Sequence, residues 1–188
     1  MFYDLETTGL LNEPAGCCIV EIYAAAAEAS EGAFHALVNP GMSIPDAASQ
    51  VNHITDEMVK DQKDARAVLI DFFAWIESLQ AHRVWLVAHN NWHFDMLVLR
   101  KECKRHALSV PAKVWFADTK VAISKLFPDQ QSKALGKLVE QYVPKERVSH
   151  LVAHRAEADV KMMMMLCECV PDPAALVAFL QTHYRVLK

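Results

Sequence analysis

The chain opens with Met1–Gly9, MFYDLETTG, in which Tyr3 and Leu5 alternate with the acids Asp4 and Glu6. This alternation is typical of a β-strand, and the glycine favours a turn directly after it. Because strand side chains alternate between two faces, Asp4 and Glu6 share one face. Two neighbouring carboxylates repel each other, so that face either meets water or binds a cation, and oxygen ligands favour Mg²⁺ or Mn²⁺. For the Asp-x-Glu pattern alone, a solvated strand face is the simpler interpretation.

The composition is that of a globular chain with a sizeable core. Its 188 residues are 53% hydrophobic and 22% charged, which predicts a single domain over residues 1–188 and excludes intrinsic disorder and a fibrous repeat. Nineteen Lys and Arg residues face 23 Asp and Glu residues, for a net charge of −4. The overall charge therefore does not attract polyphosphate, and any binding of nucleic acid needs a local source of attraction.

Cysteine usage and hydropathy predict where the protein works. Five cysteines without a C-x-x-C pair match neither a disulfide framework nor a zinc finger, which favours an intracellular, reducing compartment, cytoplasm or nucleus. The apolar runs are shorter than the ~20 residues that cross a bilayer. The acids Asp4 and Glu6 stand where a secretory signal needs a basic start. We therefore expect no membrane segment and no targeting peptide.

Hydrophobic periodicity predicts an α/β fold with a mixed five-stranded sheet, an antiparallel meander at one side and parallel strands in the middle, flanked by helices. The predicted strands are Met1–Glu6, Cys18–Ala25, Ala33–Asn39, Arg83–Ala88 and Lys113–Ala117. The predicted helices are Ala65–Gln80, Trp92–Ala107, Thr119–Phe127, Ser132–Tyr142, Ala153–Cys169 and Pro173–Tyr184.

A further acid, Asp95, ends the stretch His89–Asp95, HNNWHFD, just after the predicted strand Arg83–Ala88. Acids at a helix start commonly stabilise its exposed amides and dipole, and this is the simpler interpretation of Asp95 alone. Its place at the carboxyl end of a central strand makes it a candidate site residue, because open α/β sheets bind ligands at that edge.

The third candidate is the pair His154 and Asp159, five residues apart at the start of the predicted helix Ala153–Cys169. Five residues correspond to about 140° around a helix, so the two side chains agree in direction only if His154 precedes the first regular turn. A surface histidine with an exposed aspartate is the simpler interpretation of this spacing alone.

In combination and in this order, the three groups resemble the exonuclease motifs of the DEDDh family. That superfamily includes the proofreading ε subunit of bacterial replicative polymerase, ribonuclease T, oligoribonuclease and the three-prime repair exonucleases. The similarity runs from Phe2 to about Cys169 and includes residues 34–41, 54–59 and 117–119 between the motifs. The chain has Asn52-His53-Ile54 where many relatives have His-Gly-Ile, so no substrate contact is assigned to Asn52 or His53.

The resemblance implies a ribonuclease H-like fold in which four carboxylates hold two Mg²⁺ (or Mn²⁺) ions. These carboxylates are Asp4, Glu6, Asp95 and Asp159. The resemblance also makes His154 the general base. The chemistry agrees, because phosphodiester hydrolysis needs an activated water and stabilised negative charge, which two cations about 3.5–4 Å apart supply. A neutral imidazole suits the removal of a proton from that water.

Substrate contacts are implied by the same resemblance. Thr7 and Thr8 would lie against the terminal nucleotide, and Leu10 would wedge between bases. Asn90 in the second motif and Arg155 beside the proposed base are further candidates. A basic segment of Lys101, Lys104, Arg105 and His106 is either a solvated helix face or a phosphate track.

The implied activity is that of a metal-dependent 3′-5′ exonuclease, which acts on single-stranded or frayed DNA 3′ ends and releases nucleoside 5′-monophosphates. One alternative is an RNA-specific member of the family, since the metal site does not distinguish the two sugars. Another is a nucleic-acid- or partner-binding module without turnover, against which the five competent catalytic positions count. Some relatives dimerise and others do not, so a homodimer is one open alternative.

Overall fold

The computed structural model describes residues 1–13, 16–26, 32–127 and 129–187. The strands are β1 (Phe2–Thr7), β2 (Ile19–Ala25), β3 (Ala33–Leu37), β4 (Val84–Ala88), β5 (Val114–Asp118) and β6 (Tyr184–Arg185). The helices are α1 (Asp46–Asn52), α2 (Asp56–Val59), α3 (Ala65–Ser78), α4 (Asp95–Arg105), α5 (Thr119–Leu126), α6 (Leu135–Tyr142), α7 (Lys145–Val148), α8 (Ala156–Glu168) and α9 (Pro173–Thr182). A 3₁₀ turn, Asn91–His93, connects β4 to α4.

The described strands form one mixed sheet in the order β3-β2-β1-β4-β5-β6. The meander β3-β2-β1 is antiparallel, while β1, β4 and β5 are mutually parallel. This confirms the predicted α/β architecture and places β1 in the middle of the sheet. The carboxyl ends of β1, β4 and β5 therefore meet at one edge.

The predicted number of five strands is wrong, because the described sheet has six. Tyr184 was predicted to end the last helix, but α9 ends at Thr182, and Tyr184 and Arg185 pair with Ala117 and Phe116 of β5. The Tyr184 ring stacks on Trp115 at 4.1 Å between centroids. Two residues are too few for an alternating pattern, so only this contact with the edge of β5 defines the strand.

Helices cover both faces of the sheet. On one face, Tyr3 and Leu5 of β1 belong to the same buried cluster as Phe72 of α3 and Leu99 of α4. On the other face α8 packs over β1 and β2, and its side chains at 156, 160 and 163 are buried. Asp159 lies on α8 three residues after the buried Ala156, so this packing brings its carboxylate toward β1.

Among the described residues, no single helix is long and apolar enough to cross a bilayer. Helices α8 and α9 reach that threshold only as a pair, and the two are bent by 119° at the break between them.

Candidate active site

The first two candidate ligands lie on one face of β1, as the strand alternation predicted. Tyr3, Leu5 and Thr7 are buried on the other face, whereas Asp4 and Glu6 are partly exposed. Asp159 of α8 joins them, because carboxylate oxygens of Asp4, Glu6 and Asp159 all lie within 4.8 Å of one another. Oxygens this close can share one hard divalent cation.

Asp95 approaches the same place from the other side of β1. Parallel pairing of β1 with β4 is confined to Phe2 and Val87, so the two strands separate toward their carboxyl ends. There Asp95, which is 2% exposed, accepts a hydrogen bond at Oδ1 from the Leu5 backbone amide (3.3 Å). The carboxylate thus occupies the crevice that opens where the two central strands diverge.

A polar network that the sequence analysis did not identify fixes this crevice. Fully buried Asn91 donates from Nδ2 to the carbonyls of Leu86 (3.0 Å) and Ala117 (2.8 Å). Its Oδ1 accepts from the Tyr3 hydroxyl at 2.6 Å and from the Met96 amide at 3.1 Å. Asn91 therefore ties three strands to the start of α4, next to Asp95. Its place after a buried strand was the only signal in the sequence.

Electrostatics at the site are dominated by burial and by repulsion. Burial, followed by the charges of Asp159 and Glu21, raises the pKa of Glu6 to about 8. Burial outweighs two backbone hydrogen bonds and raises the pKa of Asp95 to about 7. Burial and the charge of Asp95 hold the pKa of Asp4 well above its usual range, and burial raises the pKa of Asp159. A cation would relieve this cost, and the all-oxygen donor set fits Mg²⁺ or Mn²⁺.

His154 stands just before α8, which begins at Ala156 with Arg155 as its N-cap. This meets the condition under which His154 and Asp159 can face the same way. The residue is exposed and has a left-handed backbone, with φ of 60°. Its amide donates to Oδ1 of Asp159 at 3.2 Å, so the histidine is attached to the carboxylate cluster through its own backbone.

Arg155, a predicted substrate contact, is bound to a residue that the sequence analysis did not select. Its Nε and Nη2 donate to Oε2 and Oε1 of Glu21 at 3.0 and 2.7 Å. Glu21 is completely buried on β2, directly opposite Glu6. Burial raises the pKa of Glu21, but hydrogen bonds from Arg155, His35 and the Ala156 amide outweigh it and leave that pKa lowered.

The other predicted substrate contacts line the loops that follow β1 and β4. The Thr7 hydroxyl donates to the Gly9 carbonyl (2.8 Å), and the buried Thr8 hydroxyl accepts from the Cys18 amide (3.0 Å). Leu10 is 57% exposed, an arrangement suited to an apolar contact with a ligand. Asn90 has a left-handed backbone and accepts from Nζ of Lys120 at 3.1 Å.

The structure also locates Asn52 and His53, to which no substrate contact was assigned. Asn52 is buried and donates from Nδ2 to the Thr7 carbonyl (3.2 Å), so it supports the end of β1. His53 ends α1 with a left-handed backbone and is exposed.

Half of the predicted basic segment is engaged inside the protein. Arg105 and His106 lie 3.0 and 3.3 Å from the oxygens of the buried Glu102, and Arg105 also contacts Sγ of Cys18 at 3.0 Å. Lys101 and Lys104 line a cavity of about 710 Å³.

A mixed sheet with carboxylates gathered at the end of its central strand is the arrangement of a ribonuclease H-like nuclease. The sequence model of the RNase T family, described as an exonuclease family, matches residues 1–167. DNA polymerase III subunit epsilon of Treponema pallidum (strain Nichols) is 33% identical over 171 residues, covering 87% of this chain and 72% of that protein. The 3′-5′ exonuclease DinG of Bacillus subtilis (strain 168) is 29% identical over 163 residues, covering 85% of this chain but 16% of DinG.

Solved structures share the fold at lower identity. Exonuclease X in complex with 5′ overhanging duplex DNA matches with a TM-score of 0.62 and 22% identity, over 88% of this chain and 86% of that one. The zinc-bound E. coli ExoI–ssDNA complex matches with a TM-score of 0.74 and 22% identity, over 97% of this chain and 42% of that one. The chain therefore belongs to the RNase T exonuclease family and is a DnaQ-like 3′-5′ exonuclease, as the sequence motifs predicted.

The raised carboxylate pKa values predict how pH acts on the metal-free protein. Because Glu6 titrates at 4.5 when unperturbed and near 8 in the fold, the folded state binds more protons than the unfolded state across that window. Folding stability should then fall as pH rises from about 5 to 8. Thermal unfolding in EDTA should give a lower Tm at pH 8 than at pH 6, and added Mg²⁺ should raise Tm more at pH 8.

Two variants test whether the carboxylate cluster causes this pH dependence of stability. Glu6→Gln should flatten the pH dependence in EDTA, whereas Asp61→Asn, at an exposed position on another part of the chain, should leave it unchanged. A wild-type Tm that stays constant or rises over this range would contradict the proposed charge repulsion.

Proposed function

We propose that this chain hydrolyses the terminal phosphodiester at 3′ ends of single-stranded or frayed DNA and releases nucleoside 5′-monophosphates. The observation that carries the proposal is the convergence of Asp4, Glu6 and Asp159 within 4.8 Å, next to buried Asp95. DNA is favoured over RNA because two structural neighbours are described as complexes with duplex DNA and with ssDNA.

The chemistry assigns separate tasks to the carboxylates and the histidine. Two divalent cations held by Asp4, Glu6, Asp95 and Asp159 would supply charge stabilisation to the reacting phosphate. His154 is exposed to the solvent that provides the attacking water, and it removes the proton of that water as general base. The exposed Leu10 and the backbone at Thr7 and Thr8 position the terminal nucleotide, since Thr7 ends β1 and the other two residues follow it at the same edge.

A second group of residues at this edge of the sheet is suited to binding the rest of the DNA strand. A cavity of about 340 Å³ beside Asn90 is lined by Lys120, Lys125 and Lys133. Over the described ranges, none of these lysines forms an ion pair with a carboxylate. Asp118 also lines the cavity, but its oxygens accept from the backbone amides of residues 90, 92 and 120. This surface, the lysine pocket, supplies local positive charge for backbone phosphates in a protein of net charge −4.

Residues 1–188 would act as one exonuclease domain, in a reducing intracellular compartment that suits the five free cysteines.

The activity is tested with 5′-labelled single-stranded DNA and RNA of matched sequence, incubated with Mg²⁺, Mn²⁺ or EDTA. We expect a metal-dependent ladder that shortens from the 3′ end and forms faster on DNA. The Asp4→Ala variant should lose this ladder, and the exposed-site control Asp61→Ala should keep it. A faster ladder on RNA would assign the RNA-specific alternative. Intact strands in every lane with folded, metal-loaded protein would favour the binding module without turnover.

The roles of ligand and base are separated by comparing two alanine variants. Asp4→Ala should weaken Mn²⁺ binding at least tenfold by calorimetry, because it removes one of the clustered oxygens. His154→Ala should bind Mn²⁺ as the wild type does but lower kcat by about 10²–10⁴-fold, the usual contribution of a general base. Equal loss of metal affinity in both variants would show that His154 is not the base.

The lysine pocket is tested by binding of single-stranded DNA in the inactive Asp4→Ala background, measured by fluorescence anisotropy over a range of salt. Lys133→Ala should weaken binding and reduce the slope of log K against log salt by about 0.7, the value for one phosphate contact on a single strand. Lys63→Ala, at an exposed lysine paired with Asp71, is the matched control and should change neither quantity. An unchanged slope for Lys133→Ala would show that the DNA strand binds outside the lysine pocket.

A further inference from the structure

We propose that Glu21 and Arg155 form a positioning unit that holds His154 in its working conformation. Neither residue would touch the reacting phosphate. This inference rests on the proposed function, because it assigns a supporting role to residues beside the proposed general base.

Glu21 resembles a fifth metal ligand in position but not in contacts. It lies on β2 opposite Glu6, and its carboxylate is completely buried. Oε1 lies 2.7 Å from Nη2 of Arg155 and 2.8 Å from Nε2 of His35, and Oε2 accepts from Nε of Arg155 and from the Ala156 amide, both at 3.0 Å. Four partners fill the acceptor sites of a carboxylate. Glu21 therefore uses its charge to bind protein groups instead of a cation.

Three of these four bonds go to the two residues that directly follow His154. Arg155 is the N-cap of α8, and Ala156 is its first residue. A bidentate contact between guanidinium and carboxylate fixes direction as well as distance, which a single hydrogen bond does not. Glu21 thereby anchors the start of α8 to the central sheet at the point where the chain leaves His154.

His154 needs such anchoring because its own backbone is strained. Its φ of 60° lies in the left-handed region, which residues other than glycine adopt only when their surroundings enforce it. On one side its amide is held by Asp159, and on the other side the chain is held by Glu21 through Arg155 and Ala156. Releasing Arg155 would let His154 relax and would move its imidazole relative to the carboxylates.

The alternative role for Arg155 is the direct substrate contact that the family resemblance suggested. The two roles predict different kinetics. A positioning residue acts through His154, so its loss lowers kcat and has no further effect once His154 is absent. A phosphate contact acts on its own, so its loss raises KM and adds to the loss of His154.

The test is a double-mutant cycle with Arg155→Gln, His154→Ala and both together, at saturating Mg²⁺ on single-stranded DNA. Arg155→Gln should lower kcat about 10–100-fold and change KM and Mn²⁺ affinity less than about twofold. In the His154→Ala background, the same substitution should lower kcat further by less than about twofold. Arg155→Lys, which keeps one charged donor, should restore part of kcat. Arg147→Gln, at the exposed arginine that pairs with Glu168, is the control and should leave kcat unchanged. Multiplied losses in the double variant, or a raised KM alone, would overturn the inference.

A spectroscopic readout keeps the inference testable without turnover. Glu21→Gln would leave part of a buried network without partners and endanger folding, so the partly exposed Arg155 is the position to change. In metal-free protein with ¹³C-labelled histidine, the His154 ring signal, assigned by its loss in His154→Ala, should move or broaden in Arg155→Gln and not in Arg147→Gln. An unchanged His154 signal would refute the positioning role, whether or not the wild type is active. Inactivity of the wild type would refute the proposed function separately.

Discussion

The fold withdraws four carboxylates from water and brings them toward one another, and the rest of the site depends on how the cost of this is met. These carboxylates are Asp4, Glu6, Asp95 and Asp159. Burial is the largest cause of the raised pKa at each of the four. Such an arrangement is stable only if protons or cations neutralise part of the charge and the surrounding structure holds the groups in place. A bound cation would relieve the same cost, which is the physical reason for proposing that this site binds metal.

Rigidity comes from neutral and paired polar groups that surround the acids. Asn91 connects Tyr3, β4 and β5, and Asn52 supports the Thr7 carbonyl at the end of β1. Glu21 joins β2 to the start of α8. Each of these groups links separate parts of the chain by hydrogen bonds, so residues outside the proposed metal ligands hold the carboxylates in position. Precise geometry at a reacting centre usually depends on such supporting bonds.

Elements with a long periodic pattern were predictable from the sequence, and so was the placement of Asp4 and Glu6 on one face. Helix α3 shows a helical repeat of apolar residues, and strands β4 and β5 are short apolar runs typical of strands covered on both faces. The short elements α1, α2, α7 and β6 show neither signal, and their formation depends on neighbours. Glu21 was missed for a different reason. A single acid in the apolar run of β2 shows no partner in the sequence, and Arg155 and Ala156 lie 134 and 135 residues away.

Charge also resolves how an acidic protein can act on an anionic polymer. The net charge of −4 and the carboxylate cluster oppose approach of a phosphate, so attraction must be local and partly borrowed from bound cations. Two of the chain's own cations are already paired, since Arg155 contacts Glu21 and Arg105 contacts Glu102. The lysines beside Asn90 are the basic groups at the catalytic edge that the described structure leaves without a carboxylate partner. Metal occupancy and this small basic surface would then act together, so that a strand is held firmly only where its 3′ end also reaches the cations.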